Sequence, residues 1–295
     1  MSLISVILPT CDRPEWVGRA LRSVLAQGGV ELEVVLVDSN RTAAPVMQNP
    51  DLAELSADPR VQVVAPRPTP VNAAAARNVG LDAARGDWIS YLDDDDAYRE
   101  GKLAAQLALA ESSGASLVVC GYEVVMEHRR RVRQCDQAEF AGDSCLIGAN
   151  YPTPVMFHRA VASVRFNPAA RSGHDHLFAI DLLAETGELR VPCVTRPLLD
   201  MHAHAGPRVN LGNRAQVWQA HRLCLKRHRG RFSRKARRAF IAVGLLVKAQ
   251  GEAAPWGDYC WCLWRILATQ GPGSWRLVIN ALAVRSPRLR RWVVT

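Results

Sequence analysis

Carboxylates are almost missing from the last third of this 295-residue chain: residues 201–295 hold 18 Lys and Arg against only Glu252 and Asp258. The net charge of +9 therefore belongs to that third, and the first 200 residues are net acidic. Such asymmetry fits an anionic partner (a membrane surface, an acidic acceptor or nucleic acid) or a solvated helical surface. Long apolar runs are lacking too. With no stretch of about 18 uncharged apolar residues, and no basic segment in Met1–Pro9, neither a spanning helix nor a signal peptide is expected. The eight cysteines, at 11, 120, 135, 145, 193, 224, 260 and 262, contain no Cys-x-x-Cys, which suits reduced thiols in a cytoplasm better than disulfides or structural zinc. No Gly-rich, Lys-bearing loop follows the first apolar run, so the triphosphate cradle of a nucleotidyltransferase is missing. Zinc-finger, recognition-helix and aromatic RNA-binding patterns are absent, which argues against nucleic acid, and no internal repeat occurs.

What is present reads as a folded α/β chain, 48% apolar. Residues 3–8 and 32–37 form short apolar runs closed by Pro9 and Asp38, and between them Trp16, Ala20, Leu21, Val24 and Leu25 recur at helical spacing. Strand, helix and strand in that order imply a parallel pair. Further strands are predicted at 61–64, 87–92 and 117–120, with a strand-like stretch at 196–201. Helices are predicted at 72–84, 99–113, 174–186, 213–228, 233–250, 256–268 and 274–284, and 126–170 reads as less regular, with a basic run at 128–133 and a loop-like stretch around 142–154. The alternation through residue 125 predicts an open, mainly parallel sheet flanked by helices, which binds ligands beyond the carboxyl ends of its strands. Pro9, Thr10, Asp38 and the run Asp93–Asp96 fall at those ends.

Four consecutive aspartates repel one another unless a cation sits among them. Carboxylates suit a hard divalent ion such as Mg²⁺ or Mn²⁺, which takes few protein ligands and completes its shell with phosphate and water oxygens. Asp96 has a second reading, as a cap on the helix that follows.

The ordered set Pro9-Thr-Cys-Asp-Arg13, Val37-Asp38, Ala76-Arg-Asn-Val-Gly80, Leu92 with Asp93–Asp96, and Gly173-His-Asp-His176 resembles the inverting glycosyltransferases of family 2. The agreement spans roughly residues 3–205. That resemblance implies a GT-A fold, a Rossmann-like open sheet, over 1–205, with 206–295 as a basic, mainly helical extension. It also implies a nucleoside-diphosphate sugar donor, UDP-linked in the reading adopted, and a hydroxyl acceptor on a glycan or a lipid-linked sugar. Pro9, Thr10, Arg13 and Asp38 would line the nucleobase and ribose, and Arg77 and Asn78 would face the nucleotide, Arg77 as a paired donor to diphosphate or uracil oxygens. Asp95 would ligate the metal, with Asp93 and Asp94 orienting the donor. His202 or His204 could add the late contact to metal or diphosphate that such enzymes often have, packing or hydrogen bonding being the default reading for both. The proton acceptor would be Asp175, in the place where the family carries an acidic pair at a helix start. His174 replaces the first acid of that pair, and His174 and His176 would face the acceptor or support the base.

Trp256, Trp261, Trp264, Trp275 and Trp292 stand among arginines in the tail. They suggest either helices resting on an anionic membrane, peripheral to its cytoplasmic face, or a helical subdomain or homo-oligomer interface that buries them. A non-catalytic sugar-nucleotide binder is the rival to an enzyme, and His174 is the feature that favours it.

Overall fold

Strands without polar alternation need cover on both faces. β1 (Leu3–Thr10) and β2 (Glu31–Asp38) are such strands, buried along almost their whole length. They pair in parallel from Leu3 opposite Glu31 to Thr10 opposite Asp38. The connecting helix α1 (Pro14–Leu25) starts with Pro in its first turn and buries Val17, Ala20, Leu21 and Val24. Each such aliphatic side chain contributes up to about 1.5–3 kcal/mol of burial, so the αβ unit is held by its apolar stripe.

The structure, a computed structural model, describes residues 2–41, 50–127, 129–133, 135, 137–147, 151–170, 173–203 and 214–249. It divides into two units. The first comprises the chain up to Ala141, Asn150–Pro168 and Phe178–Ala205; the second comprises Gly142–Ala149, Ala169–Leu177 and the chain from Gly206 on.

In the first unit α2 (Pro50–Ser56), β3 (Val61–Val64), α3 (Ala73–Ala83), β4 (Trp88–Tyr91), β5 (Ala97–Tyr98), α4 (Lys102–Ser113) and β6 (Leu117–Met126) follow. β7 (Arg129–Arg133) and β8 (Glu139–Ala141) come next, then β9 (Phe157–Arg159) and, after an intervening helix, β10 (Arg190–His202). The sheet order is β3-β2-β1-β4-β9-β6-β10-β5, with β7 beside β6 and β8 beside β10. β3, β2, β1 and β4 are parallel neighbours. β9 runs against both β4 and β6, which restores the common direction for β6 and its parallel neighbour β10. The expected parallel character thus holds for the main strands, with β5, β7, β8 and β9 antiparallel.

Gly80 places α3 against this sheet. A Cβ there would lie 2.3 Å from Ile7 Cγ2 of β1, a distance no side chain tolerates, so only glycine allows this approach. Asn72 caps the same helix, accepting the Ala75 N–H at 3.0 Å. Arg77 on α3 is thereby fixed near the carboxyl end of β4.

In the second unit α5 is Ser144–Ile147 and α6 (His174–Glu185) has its first turn; α7 (Arg214–Arg227) and α8 (Arg234–Ala249) follow. The short link between α7 and α8 makes them an antiparallel pair. Ser233 caps α8 by accepting the Ala236 N–H, and both its N–H and hydroxyl donate to Asp143. Cys224, Phe232, Ala236 and Phe240 are buried.

Four expectations need correction. The segment 126–170 is more regular than expected and supplies β7, β8, α5 and β9. The helix expected from 99 starts at Lys102, because Gly101 takes the N-cap position in a left-handed conformation. Asp96 therefore caps no helix. The cysteines are not all reduced, since Cys135 and Cys193 form a disulfide. The helices expected at 256–268 and 274–284, their tryptophans, and His204 lie outside the described residues.

Candidate active site

β2, β1 and β4 end in that order with β1 in the middle; the parallel register sets Thr10 level with Asp38 on one side and brings the turn after Tyr91 next to Thr10 on the other. Leu92 is tied down by its N–H to the Ile7 carbonyl at 3.1 Å, and the Asp96 N–H reaches back to the Asp93 carbonyl at 3.1 Å. The four aspartates occupy a tight turn whose carboxylates face different partners.

Asp93 pairs with the buried Arg77, which also lies over the Phe166 ring. Asp94, 6% exposed, accepts the Thr10 hydroxyl at 2.9 Å and lies 3.4 Å from Arg13 Nη1. Burial, with the Asp95 and Asp93 charges and against the pull of Thr10 and Arg13, raises its carboxyl to about 6. Asp95 is 3.3 Å from the same Arg13 nitrogen and keeps a partly exposed carboxylate, while its carbonyl accepts from Arg19. Asp96, 3% exposed, accepts the His202 backbone N–H at 2.9 Å, and burial with the Asp93 and Asp95 charges pushes its carboxyl well up. Arg13, Arg19 and Arg77 offset part of the repulsion among the aspartates, and the rest shows in the raised Asp94 and Asp96 carboxyls.

On the neighbouring strand, Asp38 is buried and accepts the Asn40 N–H at 3.0 Å. Asn40 accepts the Asp12 N–H at 2.5 Å, and Asp12, at φ 54°, accepts the Arg41 N–H at 3.0 Å. This chain of bonds fixes Pro9–Arg13 against the end of β2. Asp12 holds a left-handed conformation that Asp adopts more readily than most residues.

A model of the family described as glycosyl transferase family 2 matches residues 5–178, more than half of the chain. The chain belongs to that family. Among curated proteins, this family 2 member is 31% identical over 205 residues to the succinoglycan biosynthesis protein ExoO of Rhizobium meliloti (strain 1021), covering 64% of this chain and 58% of the relative. It is 28% identical over 127 residues to the teichuronic acid biosynthesis glycosyltransferase TuaG, named as putative, of Bacillus subtilis (strain 168), covering 42% and 48%. The chain thus spans less than two thirds of these relatives' length. Among solved structures, S. aureus TarS (residues 1–349) in complex with UDP-GlcNAc superposes with a TM-score of 0.66 at 17% identity, covering 98% of this chain and 83% of that one. The mannosyltransferase PcManGT of Pyrobaculum calidifontis, in complex with GDP-Man and Mn²⁺, gives 0.59 at 16%, covering 99% and 83%. At these identities the likeness establishes the GT-A type of fold.

The acidic turn brings together Thr10, Arg13, Arg77, Asp93, Asp94, Asp95 and the backbone of His202, with Asp38 on the adjacent strand end. Pro9 precedes Thr10 in β1. Asn78 is engaged elsewhere: its carboxamide both donates to and accepts from the Phe166 backbone at 2.9 Å, holding that segment over α3. Asp175 stands in the first turn of α6 in the second unit, half-buried, and accepts the His176 N–H at 2.9 Å. His174 opens the helix, and His176 stacks on Phe240 at 5.2 Å between centroids.

Some residues that hold the site carried no legible signal. Lys102 is fully buried behind the turn, its ammonium 2.7 Å from Gln106 Oε1, 3.2 Å from Ser90 Oγ and over the Tyr98 ring. Burial lowers its pKa to about 8. The Tyr98 hydroxyl donates to the Tyr91 carbonyl at 2.6 Å, so this polar group supports the strand end from which the aspartates spring. Arg99 pairs with both Glu123 and Asp200, fastening β5 to β6 and β10. The spacing of Lys102 and Gln106, one turn apart on the side of α4 that also buries Leu103 and Ala110, was the available clue.

A divalent ion of the Mg²⁺ or Mn²⁺ type fits these residues. Among the described residues no group of three or more His, Cys, Asp or Glu forms a closed metal cage. Such ions need only one or two carboxylates when a substrate diphosphate supplies the rest, and Asp95 offers an accessible hard oxygen. His202 reaches the turn through its backbone N–H.

Proposed function

We propose that this family 2 chain is a metal-dependent inverting glycosyltransferase, moving a sugar from a UDP-linked donor to a hydroxyl of a glycan or glycolipid. The observation that carries the reading is the acidic turn at the joined ends of β1, β2 and β4, with Arg13 and Arg77 in contact with it. Carboxylates in that place accept from ribose and sugar hydroxyls, and guanidinium forks donate in pairs to diphosphate oxygens.

In this reading Thr10 and Asp38 hold the base and ribose, with Pro9 shaping the strand end beside them. Arg77 holds the diphosphate and aligns Asp93 toward the donor, and Asn78 keeps α3 and the Phe166 segment in register so that Arg77 stays aimed. Arg13 moves from the carboxylates to the phosphates as the donor binds. Asp94, sheltered and hydrogen-bonded to Thr10, orients the turn. Asp95 holds the metal, with His202 or His204 beside it. When bound, the ion supplies Lewis-acid neutralisation of the departing nucleoside diphosphate. Asp175 takes the proton of the acceptor hydroxyl as it attacks the anomeric carbon from the face opposite the leaving group. His174 and His176 orient that carboxylate and the acceptor. Location at an anionic membrane surface, homo-oligomerisation through the C-terminal region, and a lipid-linked acceptor belong to the same proposal and are supported by the basic composition of that region.

The test is a panel of nucleotide sugars with and without Mn²⁺, reading thermal protection and slow hydrolysis of the donor. UDP-sugars should protect the protein and release UDP, whereas release of pyrophosphate would identify a nucleotidyltransferase. Asp95→Ala should abolish metal-dependent protection. Asp175→Asn should keep donor binding and lower turnover by at least about 10²-fold, the usual worth of a general base. Full turnover in Asp175→Asn would remove Asp175 from the mechanism.

A further inference from the structure

The second unit carries a groove of its own. It lies between α7 and α8, encloses about 750 Å³, and is lined by Arg222, Lys226, Arg229 and Arg237 together with Leu223 and Ile241. Arg222 and Lys226 are one turn apart on α7, Arg229 lies in the turn two residues beyond its end, and Arg237 and Ile241 are one turn apart on α8. The core of this helix pair is made elsewhere, by Cys224, Phe232, Ala236 and Phe240. The sequence holds no Asp or Glu from 201 to 251, so neither helix can offset these cations with a carboxylate of its own. Arg237 Nε is buried and has no hydrogen-bond partner among the described residues. A buried donor left in that state is unfavourable until an acceptor arrives.

We propose that the α7–α8 groove is a binding site for the phosphate headgroup of an anionic lipid. Four cations in one concavity call for a phosphate or phosphodiester, which accepts from several N–H groups at once. Leu223 and Ile241 in the same lining suit the carbon skeleton next to a headgroup. Among the described residues the lining contains no aromatic side chain on which a nucleobase could stack, which favours lipid over nucleic acid. The site gives the C-terminal region a membrane contact that does not depend on its tryptophans. It deepens the proposed membrane location without resting on the transfer chemistry.

The experiment is sedimentation of the full chain with phosphatidylcholine vesicles, with and without phosphatidylglycerol. A cation close to an anionic surface is worth about fivefold in partition, so Arg222→Gln with Lys226→Gln should weaken binding to the anionic vesicles more than tenfold. Arg227→Gln with Arg238→Gln removes the same charge from positions outside the groove lining and should stay within about threefold of the parent. Equal losses in the two double variants would show diffuse attraction and overturn the site, as would equal binding to neutral and anionic vesicles. Inorganic phosphate that protects the protein as strongly as the vesicles, with the same dependence on Arg222 and Lys226, would assign the groove to a soluble anion. Single-stranded RNA that displaces the vesicles through these residues would assign it to nucleic acid. Donor hydrolysis without vesicles should be unchanged in both double variants, so failure of the lipid site and failure of the transferase reading remain separate results.

Discussion

Acid should weaken the first unit through one imidazole. His158, on β9, is fully buried between β4 and β6; its Nε2 is 2.8 Å from the Tyr91 hydroxyl and its Nδ1 is 2.7 Å from the Arg159 carbonyl. A carbonyl only accepts, so Nδ1 carries the proton and Nε2 accepts from Tyr91. Burial lowers the pKa from 6.5 to about 4, against the opposing pull of the Arg159 carbonyl. The folded chain thus keeps His158 neutral down to about pH 4, whereas the unfolded chain protonates it near 6.5. Between those values the unfolded state binds more protons, so this contribution is intact above 6.5 and is lost as pH falls toward 4. At about 1.36 kcal/mol per unit, the shift amounts to about 3 kcal/mol. His158→Gln keeps an acceptor for Tyr91 but cannot titrate. Urea unfolding followed by tryptophan fluorescence, run on both proteins from pH 7 to pH 4, should show the parent losing about 3 kcal/mol more than the variant. Parallel pH profiles would refute the assignment of acid sensitivity to this ring.

Arg77→Lys replaces a planar fork by a point charge beside Asp93 and should weaken UDP binding roughly tenfold in calorimetric titration. An unchanged affinity would remove Arg77 from the donor site. Gly80→Ala sets a Cβ 2.3 Å from Ile7 Cγ2 and should cost about 1–3 kcal/mol, read as a fall in Tm, although Ala is the better helix former. Adding Ile7→Ala should recover part of that loss of fit. Peptide mapping without reductant should yield Cys135 joined to Cys193, and reduction should cost about 2–4 kcal/mol of stability. Free thiols at both positions would return the chain to the reducing compartment first expected.

The strands that read most clearly are those whose environment is uniform. β1 and β2 are mostly apolar, with Ser5 and Glu33 bonded to each other where the runs are broken, and the aspartates that follow β4 are conspicuous by their charge. β7 was illegible for the opposite reason: Arg129–Arg133 is exposed at every position, so it has no apolar face, and only backbone pairing to β6 makes it a strand. β9 is three residues long, too short to show a period. Within the site, residue types told which groups could bind a cation or a phosphate but not how they divide the work. From sequence Asp93 reads as orienting the donor and Asp96 as capping a helix; Arg77 turns the first into half of an ion pair, and His202, 106 positions away, turns the second into a buried acceptor. Cys135 and Cys193 are likewise separated by 58 residues, and only the pairing of β8 with β10 and the course of the chain between them bring them together.

The bond from the His202 amide to Asp96 makes the acidic turn a reader of strand register. β10 reaches that amide after two register shifts against β6, at Val194/Pro197 and Pro197/Asp200. A one-residue slip would offer the turn the amide of a different residue and would carry the imidazole to the opposite face of the sheet. Insertions that lengthen surface loops between Tyr98 and Arg190 leave this alignment alone, because those loops end where the strands begin. A single residue gained or lost within Pro197–His202 does not, and its effect would appear at aspartates encoded a hundred positions earlier.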